Sequence, residues 1–273
     1  MSDFINITEA AGILTITLNR PEKLNALAGH MRRDLAEALD RATRSEEVRV
    51  IVLKGEGKAF CAGGDVEVMA DLMKRDGANE FGRMLGAGRR VVTAIRELTK
   101  PVVASISGAA AGAGFNLALA CDIRIAAASA RFSQSFVKVG LHPDWGGTYF
   151  LPRIVPPNIA CEMFFLGDAI DAQEAKRLNL INRVVPDDEL EMETQKLAER
   201  LRAAPAAAIA AAKQAVYMSD KAELSQMLQY ETEAQLECFK TADAREGVRA
   251  FLERRAPRFG AHAATQPGVE QEG

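Results

Sequence analysis

Two hydrophobic periods take turns along the first half of the chain. Ile13 to Leu18 alternates apolar residues with Thr, the period-two pattern of a half-buried strand. After the Pro-containing turn NRPEKLNAL, Met31, Leu35, Ala38, Leu39 and Ala42 recur at helical spacing. That spacing predicts a helix with Arg32, Arg33, Asp34 and Glu37 on the opposite face. VRVIVLKG reads as a β-branched strand closing at Gly55. Further on come a loop over 70–80, a helix around Phe81 to Leu98 that stops at Pro101, and the strand VVASI. A Gly/Ala run then opens a helix around Phe115 to Ala120, followed by the strand DIRIA. Such alternation predicts an α/β core.

Beyond Pro186 the pattern becomes helical, over 189–203, 205–218 and 222–240, and ends in REGVRAFLERR. The expected organisation is a core over 1–195, a helical C-terminal region over 196–260 and a frayed tail over 261–273, where periodicity is lost.

Composition narrows the classes. With 48% hydrophobic and 26% charged residues over 273 positions, the chain has a globular mix, which excludes a disordered or fibrous protein. A net charge of -3 argues against general attraction to nucleic acid or anionic membrane. The start MSDFINITEA lacks the basic patch and apolar stretch of a secretory signal, and no run reaches the ~20 apolar residues of a membrane span. Cys61, Cys121, Cys161 and Cys238 are scattered without a CxxC pair, and three histidines make no zinc set. These features imply a soluble cytoplasmic protein with reduced thiols and no bound metal.

Three segments offer chemistry. In KAFCAGGDVEVM, Ala62, Gly63 and Gly64 form a side-chain-poor loop that exposes backbone N–H groups, although an ordinary strand-to-helix turn has the same composition. In SGAAAGAGFNLALACD, the small residues Gly108 to Gly114 open a helix whose first amides are free donors for an oxyanion. Gly108, Gly112 and Gly114 do not fit GxGxxG and no Lys follows, so a nucleotide loop is disfavoured, while close helix–sheet packing accounts for the smallness alone. In FSQSFVKVGLHPDWGGTYFLPRI, Asp144 lies among Leu141, Pro143 and Trp145, surroundings that raise a carboxyl pKa. Pro-Asp before Gly-Gly is equally plain turn chemistry. His142 has no Ser or Cys partner in sequence and reads as a surface or rim residue.

Taken in order, NRPEKLNAL, KAFCAGGD, KPVVASISGAAAGAG, LALACD, GLHPDWGGT and REGVRAFLERR resemble the enoyl-CoA hydratase/isomerase (crotonase) superfamily from Ile13 to Phe259. The resemblance implies a spiral of ββα units and a helical C-terminal region that mediates trimerisation, often as a dimer of trimers. It implies an acyl-CoA thioester as substrate, with no separate cofactor, its carbonyl oxygen held between the amides of Gly64 and Ala113. It places Lys23 near the CoA phosphates and Ala62, Gly64, Asp65 and Val66 along adenine and pantetheine. Gly112 falls in the second loop, and Phe251 and Arg254 match the C-terminal element that reaches CoA in the assembled family.

One departure matters. Where hydratases of this family carry two glutamates, this chain has Asn116 and Phe136, which cannot exchange protons. Asp144 instead matches the acid of isomerase members such as 1,2-epoxyphenylacetyl-CoA isomerase. The expectation is therefore double-bond or ring-epoxide isomerisation with Asp144 as acid and base, Phe136 and Trp145 as apolar walls, and Asn116 orienting the site or meeting substrate. Hydration by Asp144 and a water, an acyl- or aryl-enzyme on Asp144, and a silent CoA-binding homologue stay open beside it. The acyl-enzyme route lacks a histidine base in place, since His30 is early and His262 is in the tail.

Overall fold

The computed structural model describes residues 4–260. They divide into two compact units, one ending at Glu199 and the other starting at Arg200. The expected tail from Ala261 lies outside the described residues.

The first unit opens with β1 (Ile5–Ala10), β2 (Ile13–Leu18), α1 (Met31–Arg44) and β3 (Val50–Gly55). It continues through α2 (Val66–Lys74), α3 (Ala78–Glu97), β4 (Val102–Ile106), β5 (Ala109–Ala111) and α4 (Ala113–Ala120). Then come β6 (Ile123–Ala127), β7 (Arg131–Ser133), α5 (Gly147–Ile154) and α6 (Pro157–Leu166). β8 (Ile170–Asp171), α7 (Ala172–Arg177) and β9 (Arg183–Val185) follow, and α8 (Leu190–Arg202) carries the boundary.

Six strands form one sheet in the order β1-β2-β3-β4-β6-β9. β1 and β2 are antiparallel and every other neighbour is parallel. β3 and β4 are almost wholly buried, as central parallel strands covered on both faces must be, which is why they are continuous apolar runs. β1 was not expected from the sequence. It is a sheet edge with only Ile5 buried, and Ile5 and Ile7 are too short an alternation to mark a strand. Ala11 and Gly12, both at positive φ (47° and 77°), supply the tight turn that folds it back on β2.

The second sheet is small, β5-β7-β8, and it sets up the spiral. In successive turns of the chain a long strand of the large sheet is followed by a short paired segment and then a helix. Cys61 pairs with Ala110 of β5, and Ala110 with Phe132 of β7. Equivalent points in consecutive turns are thereby stacked side by side. The seven small residues therefore include a strand, and the 70–80 loop contracts to residues 75–77 because α2 runs on to Lys74.

The second unit contains α9 (Ala206–Met218), α10 (Leu224–Phe239) and α11 (Ala242–Leu252). Tyr230 Oη donates to the Ala211 carbonyl at 3.0 Å, tying α10 to α9. Neither helix buries a residue fully, and Leu224, Leu228, Leu236 and Phe239 face solvent in the single chain. The anchor of α11 is Glu246, 4% exposed, which accepts from Arg249, Arg255 and the Arg258 N–H.

Candidate active site

The stacking of the spiral brings two backbone amides together. Gly64 lies three residues beyond Cys61, and Ala113 three beyond Ala110, the residue with which Cys61 pairs. Leu27 donates to the Gly63 carbonyl (2.7 Å) and accepts from the Asp65 N–H (3.2 Å). In that parallel pattern the intervening Gly64 N–H points away from Leu27. Ala113 is the first residue of α4, whose ladder begins with Asn116 N–H to Gly112, so its N–H has no acceptor within the helix. The loops nearly touch. A Cβ on Gly63 (φ +95°) would come within 2.8 Å of the Ala111 oxygen and 3.5 Å of the Ala113 nitrogen. One on Gly114 would fall 2.2 Å from the Cys61 carbonyl oxygen, so only glycine permits this approach.

Asp144 is held by a peg built from α4. Asn116 is completely buried, donates Nδ2 to the Asp144 backbone oxygen at 2.8 Å and accepts from Gln134 Nε2 at 2.7 Å. A Cβ on Gly147 would overlap that amide at 2.3 Å, so the glycine makes room for the peg. Asn116 thus positions the Asp144 turn, with both its amide oxygen and nitrogen engaged within the protein. Trp145 sits at φ 51°, an uncommon conformation for a bulky residue, with its indole on Gly88 of α3. There it is a buried anchor of the acid-bearing turn.

The Asp144 carboxyl is pushed up to about 6 by burial, against the pull of Arg32 and His142. Its Oδ1 is buried and has no hydrogen-bond partner among the described residues. The raised pKa that the apolar neighbours of Asp144 predict therefore has burial as its physical cause.

Arg32 is the residue that sequence reasoning misplaced. It is 6% exposed rather than solvated, and Asp34 is buried as well. The signal was Ala36, also buried, which widens the apolar stripe of α1 along an i,i+4 line with Arg32. Burial lowers the Arg32 guanidinium from its usual value, opposed by Asp144, Cys61 and Asp65. Its Nη1 has no hydrogen-bond partner among the described residues, and its Nη2 is 3.9 Å from where Gly64 would carry a Cβ.

The remaining residues occupy several places. Asp65 caps α2, its Oδ1 accepting from the Glu67 and Val68 amides and its Oδ2 from Arg20 Nη1 at 3.0 Å. Both oxygens are engaged, so Asp65 holds the loop, which leaves the backbone from Ala62 to Val66 as the surface on offer. Lys23 is exposed and paired with Glu67 at 2.7 Å, which raises its pKa. Phe136 packs its ring 3.6 Å from the position of a Cβ on Gly112 (φ +50°), making one wall of the second loop. His142 is exposed. Phe251, 83% exposed, and Arg254, at φ 54°, lie in the second unit at and beyond the end of α11. Among the described residues no group of His, Cys, Asp and Glu could hold a metal ion, and no helix is long and apolar enough to cross a membrane.

A family model for enoyl-CoA hydratase/isomerase matches residues 8–262. The chain belongs to that family. It has the crotonase fold, an α/β spiral with a helical C-terminal region. A probable enoyl-CoA hydratase of Rhodobacter capsulatus is 44% identical, over 91% of this chain and 94% of its own length. The 1,2-epoxyphenylacetyl-CoA isomerase of Escherichia coli is 38% identical, over 95% and 99%. A crystal structure of an enoyl-CoA hydratase from Polaromonas sp. JS666 is similar with a TM-score of 0.89 and 35% identity, covering 93% of this chain and 99% of that one. This crotonase is accordingly an enzyme family member whose relatives include named hydratases and a named isomerase.

Proposed function

We propose that this crotonase isomerises a double bond, or a ring epoxide, of an acyl-CoA. The thioester oxygen accepts from the Gly64 and Ala113 N–H groups, which stabilise the enolate formed when a proton leaves carbon. Each such donor contributes about 3 kcal/mol in the transition state. Asp144 takes the proton from C2 of a 3-enoyl thioester and returns a proton at C4, leaving the 2-enoyl product. The observation that carries this reading is the Asp144 carboxyl itself, half-buried, raised to about 6, with Oδ1 shielded and open.

One carboxylate is enough for this chemistry because one group both removes and delivers the proton. Asn116 and Phe136 occupy the places where the family's hydratases hold glutamates, and the first is committed to the Asp144 turn. Lys23 would meet the CoA phosphates by giving up Glu67. Phe251 and Arg254 would contribute CoA contacts within a homotrimer or dimer of trimers, whose packing would cover the apolar faces of α9 and α10. The thioester is substrate, and no cofactor, nucleic acid or membrane takes part in a protein we place in the cytoplasm.

Asp144→Asn incubated with a 3-enoyl-CoA in deuterated water should lose about 10³-fold in product formation and α-proton exchange. Turnover near wild type would overturn the assignment. The second reading, hydration, is favoured by the names of relatives such as the crotonyl-CoA hydratase of Syntrophomonas wolfei, 36% identical. Loss of enoyl absorbance from crotonyl-CoA separates the two.

A further inference from the structure

The Asp144 carbonyl sets the direction of a buried chain of amides. A carbonyl oxygen can only accept, so the Asn116 atom facing it at 2.8 Å must be the donor Nδ2. That turns Asn116 Oδ1 the other way, where a donor has to meet it, and Gln134 Nε2 does so at 2.7 Å. Gln134 Oε1 is left at the end of the chain, buried and with no hydrogen-bond partner among the described residues. Asn116 and Gln134 are both fully buried, so this last acceptor has given up water without a replacement and keeps its desolvation cost. Every polarity in the chain follows from the backbone atom at its other end.

The turn that receives this chain needs holding. Asp144 to Gly147 is a four-residue turn closed by the Gly147 N–H on the Asp144 carbonyl at 3.0 Å. Both central residues have positive φ, Trp145 at 51° and Gly146 at 79°, a mirror-image turn that suits Asn or Gly better than an indole side chain. Asn116 supplies a second donor to the carbonyl that closes the turn. With its amide rotated by half a turn, Asn116 would fill the same space but set Oδ1 against that carbonyl, acceptor against acceptor. Shape alone does not choose between the two orientations. Gln134 does, because it presents a donor to one of them.

We propose that Gln134 is a positioning residue for proton exchange at Asp144: its donation to Asn116 Oδ1 fixes which end of the Asn116 amide meets the Asp144 turn, and so where the Asp144 carboxyl is held. The inference rests on the isomerase reading above for its effect on turnover, and on the turn alone for its effect on the carboxyl.

The test follows the Asp144 carboxyl by NMR in full-length protein labelled at the aspartate carboxyl carbons, its resonance identified by its absence in Asp144→Asn. Wild type should titrate at about 6. Gln134→Met fills similar space without a strong donor or acceptor. It should move that midpoint down by about one pH unit or more, toward the ordinary aspartate value near 4, as the released turn lets water reach the carboxyl. The same variant should lower kcat on a 3-enoyl-CoA about tenfold with KM within about twofold. Gln134→Glu tests the polarity itself, because a protonated carboxyl donates as Gln does and an ionised one only accepts. Its exchange rate relative to wild type should fall about tenfold or more as the pH rises from about 5 to 8, and at the acid end it serves where the Met variant does not fold. A folded Gln134→Met with the wild-type midpoint overturns the proposal. So does a constant ratio of Gln134→Glu to wild type across that pH range, or a lower melting temperature with midpoint and kcat unchanged, which would make Gln134 merely structural. Absence of isomerisation in wild type, with the midpoint still falling in Gln134→Met, would count against the isomerase reading and leave the amide chain standing.

Discussion

Two carboxylates of this crotonase, Glu246 buried and Asp144 half-buried with its Oδ1 shielded, have opposite fates. Glu246 in the second unit is satisfied by Arg249, Arg255 and the Arg258 amide, which hold its carboxyl far below the usual range. Asp144 in the first unit has a guanidinium nearby but no donor on Oδ1, and burial pushes it up to about 6. Burial alone thus predicts neither outcome. What separates the structural carboxylate from the one proposed to exchange protons is whether its lone pairs are already taken.

The largest effect that should sharpen this contrast is on activity and stability together. Asp144→Asn, besides its loss of exchange, should raise unfolding stability at pH 7 by up to roughly 3 kcal/mol in denaturant melts. The sign follows from the raised pKa. Ionised Asp144 costs stability above its unfolded pKa, fully so once the pH exceeds about 6, and the gain should therefore vanish near pH 4. Next, kcat/KM for the proposed exchange should fall about tenfold per pH unit below a midpoint near 6, because the base must be ionised in the free enzyme. A flat profile between pH 5 and 7 would break the comparison.

Asn116→Ala should cost about 2 kcal/mol, since it strands Gln134 Nε2 and the Asp144 carbonyl in a buried setting. Glu246→Gln should act in the other direction from Asp144→Asn. Its midpoint of thermal unfolding should drop at pH 7, and the deficit should narrow as the pH falls below about 4, where the unfolded glutamate takes up its proton. Smallest of all, Lys23→Ala should change stability by less than about 0.5 kcal/mol, as exposed pairs do, and its effect should be confined to KM for CoA over pantetheine thioesters.

Much of this architecture was legible because its signals are local. β2, β3, β4 and β6 announce themselves as apolar or alternating runs, and the small residues at 62–64 and 108–114 mark where backbone must approach backbone. The apolar company of Asp144 also foretold its raised pKa. Features that depend on neighbours distant in sequence were hidden. β1 gives little pattern because an edge strand buries little. Arg32 looked solvated because charge is normally excluded from a core, and only the topology shows that α1 turns this flank toward Asp144 and Gly64. Asn116 was expected to orient the site or meet substrate, and the peg it forms needs Gly147 and Gln134, which lie far along the chain.

The chain contains a single tryptophan, and it is the residue directly after Asp144. With its indole buried on Gly88, all indole emission from this protein originates one peptide bond from the carboxyl. Intrinsic fluorescence is therefore a built-in optical probe of the Asp144 turn, able to follow titration of its carboxyl and to test the proposed arrival of a thioester without any label.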